Sequence, residues 1–209
     1  LPKFTQTSDI EVRVVAVGTG QAIRLAKNGD ADVLFVHHRA SEEKFVSEGF
    51  GVKRFDVMYN DFVIVGPNID PAKINGMVDA LSVLTKISKT ASTFASRGDD
   101  SGTNKKELDL WRDADIDAKI ASGTWYREIG SGMGATLNAA AGMEAYTLTD
   151  RATWLSFKNR MNLTLLSQGD DRLFNPYGVI LVNADKHPHV KSAQGQAFID
   201  WLISKAGQS

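Results

Sequence analysis

Three times along this chain a turn of glycine and hydroxyl residues opens a helix. The turns are Thr19-Gly20, Ser101-Gly102-Thr103 and Gly132-Met133-Gly134-Ala135-Thr136. With β-prone stretches between the helices, this pattern points to an α/β fold with mostly parallel sheets and helices on both faces. In that class, strand-to-helix turns gather at the C-terminal edges of strands, where ligands sit. The first turn of a helix carries N–H groups without intrahelical partners and a partial positive charge. Gly102 lets a ligand approach the backbone, and Ser101 and Thr103 add hydroxyl donors. Arg97, just upstream, adds a guanidinium suited to oxygen anions. Helix N-termini converging on one point would form a cradle for a small oxyanion. The same residues would serve as plain helix starts, because glycine and threonine start helices well.

The remaining elements follow from periodicity and punctuation. Residues 11–17 are β-branched and read as a strand ended by Gly18. A short helix over 21–28 closes on Gly29, and 32–36 read as a buried parallel strand. Ser41 is the expected N-cap of a helix over 41–48. A strand over 59–65 ends at Gly66-Pro67, and 71–88 carry helical spacing at Met77, Leu81, Leu84 and Ile87. Residues 92–95 form a short strand, 104–111 a helix, and 115–121 a brief helical turn. An alanine-rich helix covers 137–143, a strand 146–149, and Asp150 caps a helix over 151–158. Strands at 163–166 and 179–182 precede a C-terminal helix over 192–204, with Ala197, Phe198, Trp201 and Leu202 on its apolar face. The length of 209 residues suits one large domain or two small lobes. If there are two, the chain crosses between them at 59–67 and 175–182, where a strand meets Pro/Gly punctuation.

Composition removes several classes of function. The net charge is −1 and no basic face stands out, which argues against nucleic acid. An anion site must then work by local geometry rather than by the field of the whole molecule. The absence of cysteine removes disulfides, thiolate metal sites and cysteine nucleophiles. No apolar run is long enough to span a bilayer. The chain does not start with methionine, and Leu1-Pro2-Lys3-Phe4 reads as the tail of an earlier element, as in a trimmed or mature product.

Neither Gly18-Thr19-Gly20 nor Gly130-Ser131-Gly132-Met133-Gly134 has the spacing of a dinucleotide fingerprint, and no P-loop is present. His37, His38, His187 and His189 are assigned surface or capping roles. Of Asp99 and Asp100, one is expected to cap the helix and one to pair with Arg97 or position the loop. Ser101 has no His/Asp partner at a telling spacing, so it is not read as a nucleophile. Trp111, Trp125, Trp154 and Trp201 are assigned to core packing.

The chain resembles the tungstate-binding substrate-binding proteins of bacterial ABC importers. The segments that carry the likeness are Val14-Val15-Ala16-Val17-Gly18-Thr19-Gly20-Gln21-Ala22, Gly29-Asp30-Ala31-Asp32-Val33 and Asp56-Val57-Met58-Tyr59-Asn60-Asp61-Phe62-Val63-Ile64-Val65-Gly66-Pro67. They continue with Ser96-Arg97-Gly98-Asp99-Asp100-Ser101-Gly102-Thr103, Gly132-Met133-Gly134-Ala135-Thr136-Leu137-Asn138, Tyr146-Thr147-Leu148-Thr149-Asp150-Arg151-Ala152 and Phe174-Asn175-Pro176-Tyr177-Gly178-Val179. The resemblance implies a two-lobed periplasmic-binding (Venus-flytrap) fold with two hinge crossings. Lobe 1 would hold residues 1–65 and 176–209, and lobe 2 residues 66–175. A tetrahedral oxyanion would be held in the hinge cleft by Thr19 and Gly20 from the first lobe, Arg97, Ser101, Gly102 and Thr103 from the second, and Gly134, Ala135 or Thr136. The family's first strand and its Thr/Ser-rich loop would lie before Leu1, and the chain stops early after Gly207-Gln208.

The resemblance further implies extracytoplasmic capture of tungstate, or of molybdate, for import. It implies no enzyme activity and no cofactor. The partners would be the oxyanion and a membrane permease; the protein would act as a monomer in the periplasm or outside the cytoplasm, with a lipid anchor compatible. Alternatives are an oxyanion-sensing domain of a regulator and a phosphate- or sulfate-type binding protein; the Arg-x-Asp-x-Ser-Gly-Thr pattern also resembles that of phosphate-binding proteins. An enzyme that stabilises a phosphoryl or carboxylate substrate ranks last, for want of a nucleophile, a base or a metal set.

Overall fold

The chain opens with a short helix in the computed structural model, which describes residues 1–209. In chain order the helices are α1 (Pro2–Ser8), α2 (Thr19–Asn28), α3 (Arg39–Ser47), α4 (Ala80–Lys89), α5 (Gly102–Asp113), α6 (Met133–Met143), α7 (Arg151–Ser156) and α8 (Ser192–Ile203). The strands are β1 (Val33–Val36), β2 (Gly51–Pro67), β3 (Phe94–Ser96), β4 (Tyr126–Glu128), β5 (Thr147–Asp150), β6 (Leu163–Ser167) and β7 (Phe174–Val182). Two compact units result, Leu1–Tyr59 with Pro176–Ser209, and Asn60–Asn175. The strands β2 and β7 each run from one unit into the other.

In the first unit, β1 pairs antiparallel with β7, from Val33 opposite Leu181 to Val36 opposite Gly178. One face of this pair buries Leu34, Val36, Ile180 and Val182 against Ala26 of α2 and Phe45 of α3. The other buries Val179 and Leu181 against Ile199 of α8. The strand expected to be parallel and buried is therefore antiparallel, and its Phe35 is 43% exposed. Gly29 ends α2 at φ 83°, and its amide donates to the Ala26 carbonyl.

In α1, Phe4 packs on Phe198 and Trp201 at centroid distances of 5.2 and 5.5 Å. Two local readings change in this unit. Residues 11–17 lie outside any strand, with Val14 and Val15 65% and 68% exposed. β-branched composition supplies propensity, but a strand exists only with a paired ladder alongside. The N-cap of α3 is His38, not Ser41: the His38 Nδ1 accepts the Ser41 amide at 3.3 Å.

In the second unit, β3 and β4 are parallel, with Phe94, Ala95 and Ser96 opposite Tyr126, Arg127 and Glu128. On its other side β3 bridges in parallel to Tyr146, just before β5. β5 and β6 both pair antiparallel with β2. The α/β class stands, but "mostly parallel" does not describe these ladders, since only β3–β4 among the named pairs runs parallel. Apolar patterning along a strand does not encode its direction. β2, which crosses in from the other unit, runs antiparallel to both β5 and β6.

Alternation along β2 feeds two cores. Phe62 and Ile64 join Val83, Leu84 and Ile87 of α4 and Leu110 and Trp111 of α5 on one face. Val63 and Val65 join Met133, Leu137 and Ala140 of α6 and Trp154 of α7 on the other. Each such fully buried large side chain contributes roughly 1.5–3 kcal/mol. The helix expected over 71–88 begins only at Ala80, where the Asp79 carboxylate accepts the Ser82 amide at 2.7 Å. Positive φ at Asp70, Lys73 and Gly76 turns the preceding segment out of helical geometry.

Candidate functional site

Parallel pairing of β3 and β4 sends both strands out of the same edge of the second unit. The register continues past the strand ends: the Ile129 amide donates to the Ser96 carbonyl at 2.9 Å, and the Gly130 amide to the Arg97 carbonyl at 2.8 Å. Residues 97–101 then lead into α5, and residues 129–132 into α6. Two helix N-termini thus start from neighbouring loops. Gly98, at φ 60°, makes this approach possible: a Cβ there would lie 3.0 Å from the Cβ of Glu128.

At α5 the N-cap is Ser101, whose Oγ accepts the Asn104 amide at 3.2 Å. Accepting that bond uses a lone pair of the Ser101 hydroxyl and not its hydrogen. The first intrahelical bond runs from the Lys105 amide to the Ser101 carbonyl at 2.9 Å, so the amides of Gly102 and Thr103 lead the helix. Ser101 and Thr103 are each 2% exposed. At α6 the cap is Gly132, which has no side chain to occupy the leading amides of Met133, Gly134 and Ala135. Gly134 and Ala135 are exposed. Thr136 is buried, and its Oγ1 donates within its own loop, 3.2 Å from the carbonyls of both Ser131 and Gly132. Its hydroxyl braces the loop rather than facing outward.

Arg97 is pinned by Asp99: Nη2 and Nε lie 2.7 and 3.1 Å from Oδ2. The other oxygen of Asp99 accepts the Ser101 amide at 3.2 Å. Asp100 pairs with Lys105. The expectation that an aspartate caps α5 is corrected, because Ser101 does so. The pairing of an aspartate with Arg97 is observed.

The third turn lies in the first unit. Thr19 is 2% exposed and Gly20 is buried, in the opening turn of α2. Gly18 caps this helix without a side chain, and the Ala22 amide closes the first turn on its carbonyl at 2.9 Å. The structure therefore joins the loop that leads into α5 to the loop that leads into α6 through the Gly130–Arg97 bond, within one unit, and places Thr19 and Gly20 in the other.

Sequence reading missed Asn104 and Glu107. Glu107 is 2% exposed; it accepts the hydroxyls of Ser96 and Tyr126, each at 2.7 Å, and the indole N–H of Trp111 at 3.1 Å. Burial pushes its carboxyl up to about 7 against the pull of these donors. The available signal was its place on the same helical stripe as buried Leu110 and Trp111. The histidines are structural. His37 stacks on Tyr177 at 4.8 Å, and His187 and His189 bond the carbonyls of Lys27 and Gly29 at 2.9 and 2.8 Å.

Comparison with known proteins agrees with this architecture. Residues 1–206 match the profile of the PBP superfamily domain. The tungstate-binding protein TupA of Peptoclostridium acidaminophilum is 48% identical over 211 residues, covering 100% of this chain and 73% of that protein. TupA of Campylobacter jejuni is 37% identical, covering 97% of this chain and 76% of that protein. Among solved structures, the tungstate ABC transporter protein of Geobacter sulfurreducens matches with a TM-score of 0.85 and 50% identity, over 99% of this chain and 87% of that one. The tungstate-binding protein TupA of Desulfovibrio alaskensis G20 matches with a TM-score of 0.82 and 43% identity, over 99% and 84%. On the profile match, the relatives matched along the whole of this chain and the two-unit α/β architecture, this chain belongs to the PBP superfamily of two-lobed periplasmic-binding proteins.

Proposed function

We propose that this protein captures tungstate outside the cytoplasm and delivers it to the membrane permease of an ABC importer, with molybdate as the alternative anion. The observation that carries the reading is the pair of neighbouring helix N-termini with Arg97 at the shared edge of β3 and β4. Arg97, Ser101, Gly102, Thr103, Gly134 and Ala135 supply donors from the second unit. Thr136 supports its loop, and in the first unit Thr19 and Gly20 open α2 with donors of the same kind. The role is binding without turnover, and the ligand is the oxyanion itself rather than a cofactor. Relatives named for tungstate binding and ABC transport favour capture over sensing. We take the protein to act as a monomer, and a lipid anchor outside this chain is compatible with the role.

The chemistry fits a fully deprotonated tetrahedral anion. Such an anion offers only acceptors, and the site offers N–H, O–H and guanidinium donors. A protonated phosphate would need an acceptor, but Asp99 is committed to Arg97 and the Ser101 amide, and Asp100 to Lys105. Each hydrogen bond to a charged acceptor contributes about 1.5–3 kcal/mol. A nanomolar site needs roughly 12 kcal/mol, which six or more such donors supply after the cost of ordering.

Calorimetric titration with tungstate, molybdate, sulfate and phosphate tests the reading. Tungstate and molybdate are expected to bind tightly, and sulfate and phosphate weakly or not at all. Absence of tungstate binding, or a preference for phosphate, would overturn it.

A further inference from the structure

Beneath the Arg97 loop lies a buried carboxyl that the ligand set above does not use. We propose that Glu107 is a positioning residue for the anion site: through Ser96 and Asn104 it locks the 97–101 loop in the form that presents Arg97 and the leading amides of α5. This inference rests on the reading of that loop as the anion site.

The hydrogen-bond chain is continuous. Glu107 Oε2 accepts the Ser96 hydroxyl at 2.7 Å, and Ser96 Oγ accepts the Asn104 Nδ2 at 3.3 Å. Asn104 Oδ1 accepts the Asp100 amide at 3.2 Å, while the Asn104 backbone amide donates to Ser101 Oγ. Ser96 immediately precedes Arg97, and Asp100 immediately precedes the cap of α5. The chain therefore grips the loop at both ends. On the other oxygen, Tyr126 and Trp111 tie in β4 and the body of α5.

Donor counting explains why a carboxylate occupies this place. Ser96 has one hydroxyl hydrogen, and Glu107 takes it. The lone pairs of Ser96 are then left for Asn104, and this fixes which end of the Asn104 amide meets Asp100. The Trp111 indole can only donate, so an amide at position 107 would turn its NH2 toward Ser96. There it would compete with Asn104, and the Ser96 hydrogen would lose its acceptor. The groups facing the carboxyl are Ser96 from β3, Asn104 and Trp111 from α5, and Tyr126 from β4, none of them a cation. A carboxyl buried without a cation costs stability, so its presence calls for a reason other than packing.

The test is tungstate titration of wild type, Glu107→Gln and Tyr126→Phe from about pH 6 to about pH 8.5, with thermal unfolding of each. Glu107→Gln is expected to bind tungstate about tenfold more weakly at the alkaline end while melting no lower than wild type there. A residue that only stabilises the fold would lower both together. Wild-type affinity should rise with pH through about 7, and the Gln profile should be flat. Tyr126→Phe removes one donor to the carboxylate and should move that midpoint upward, which carries the test if Glu107→Gln does not fold. Wild-type affinity in Glu107→Gln at every pH, or an unmoved midpoint in Tyr126→Phe, overturns the inference alone. If wild type binds no tungstate, the site reading falls and this inference falls with it.

Discussion

The amide of Gly130 donates to the carbonyl of Arg97 at 2.8 Å, laying one helix-leading loop along another. The bond extends the β3–β4 register beyond both strands and brings the starts of α5 and α6 together. Gly98 occupies the tightest point, at positive φ and close against Glu128. Gly98→Ala should cost about 2 kcal/mol, combining left-handed strain with the displaced strand end. It should weaken tungstate binding beyond that loss of stability. Urea unfolding and calorimetry on the same preparation check both halves, and a variant with wild-type affinity would refute the role of this approach.

Arg97 is the fixed charge of the candidate site. Arg97→Ala removes one or two charge-assisted hydrogen bonds of about 1.5–3 kcal/mol each, so affinity for tungstate should fall by at least about tenfold and by up to about 10,000-fold. Stability should hardly change, because the partner Asp99 keeps the Ser101 amide. Calorimetry compares the affinities and thermal unfolding the stabilities; equal affinities would exclude Arg97 from the site.

Stability should depend on pH through Glu107. Burial raises its folded-state carboxyl from 4.5 to about 7, so the folded protein holds this proton more tightly than the unfolded chain. The contribution is full below the unfolded value and is lost as pH rises through about 7. The swing is on the order of 3 kcal/mol. Glu107→Gln should flatten this part of the curve, leaving it less stable than wild type near pH 5 by comparison with pH 8. Chemical unfolding at those two values, about pH 5 and about pH 8, measures it.

Gly178 lies against a buried ion pair in the first unit. Arg54 Nε donates to Glu42 Oε2 at 2.5 Å, the Glu42 side chain is 0% exposed, and Glu42 also accepts the His38 amide at 2.8 Å. A methyl on residue 178 would come within 2.8 Å of Arg54 Nε and overlap the carboxylate. Gly178→Ala should destabilise the protein by roughly 3 kcal/mol, through overpacking and a strained buried pair. A melting temperature within a degree or so of wild type would show that the pair can move aside.

Much of this was legible from local chemistry. The glycine C-cap at Gly29, the Asp150 cap of α7 and the hydroxyl and glycine starts of α5 and α6 all act through bonds spanning a few residues. Where a nearby competitor existed, local reading chose wrongly: His38 displaced Ser41 as cap, and Ser101 displaced the aspartates. The helical spacing at 77–87 was partly real, but Asp79 is the residue that starts the helix.

The sequence by itself determined that glycine and hydroxyl turns open α2, α5 and α6, which of those turns carry donors, and that Arg97 stands beside one of them, because backbone preference and a turn's donor set are settled within a turn of chain. Tertiary structure decided the rest. It set β1 against β7 and β5 against β2, left 11–17 outside any strand, and laid Gly130 on Arg97. It also turned Glu107 inward to meet Ser96 and Tyr126. Strand direction, pairing and burial depend on partners distant in the chain, and no residue carries that information in its own neighbourhood.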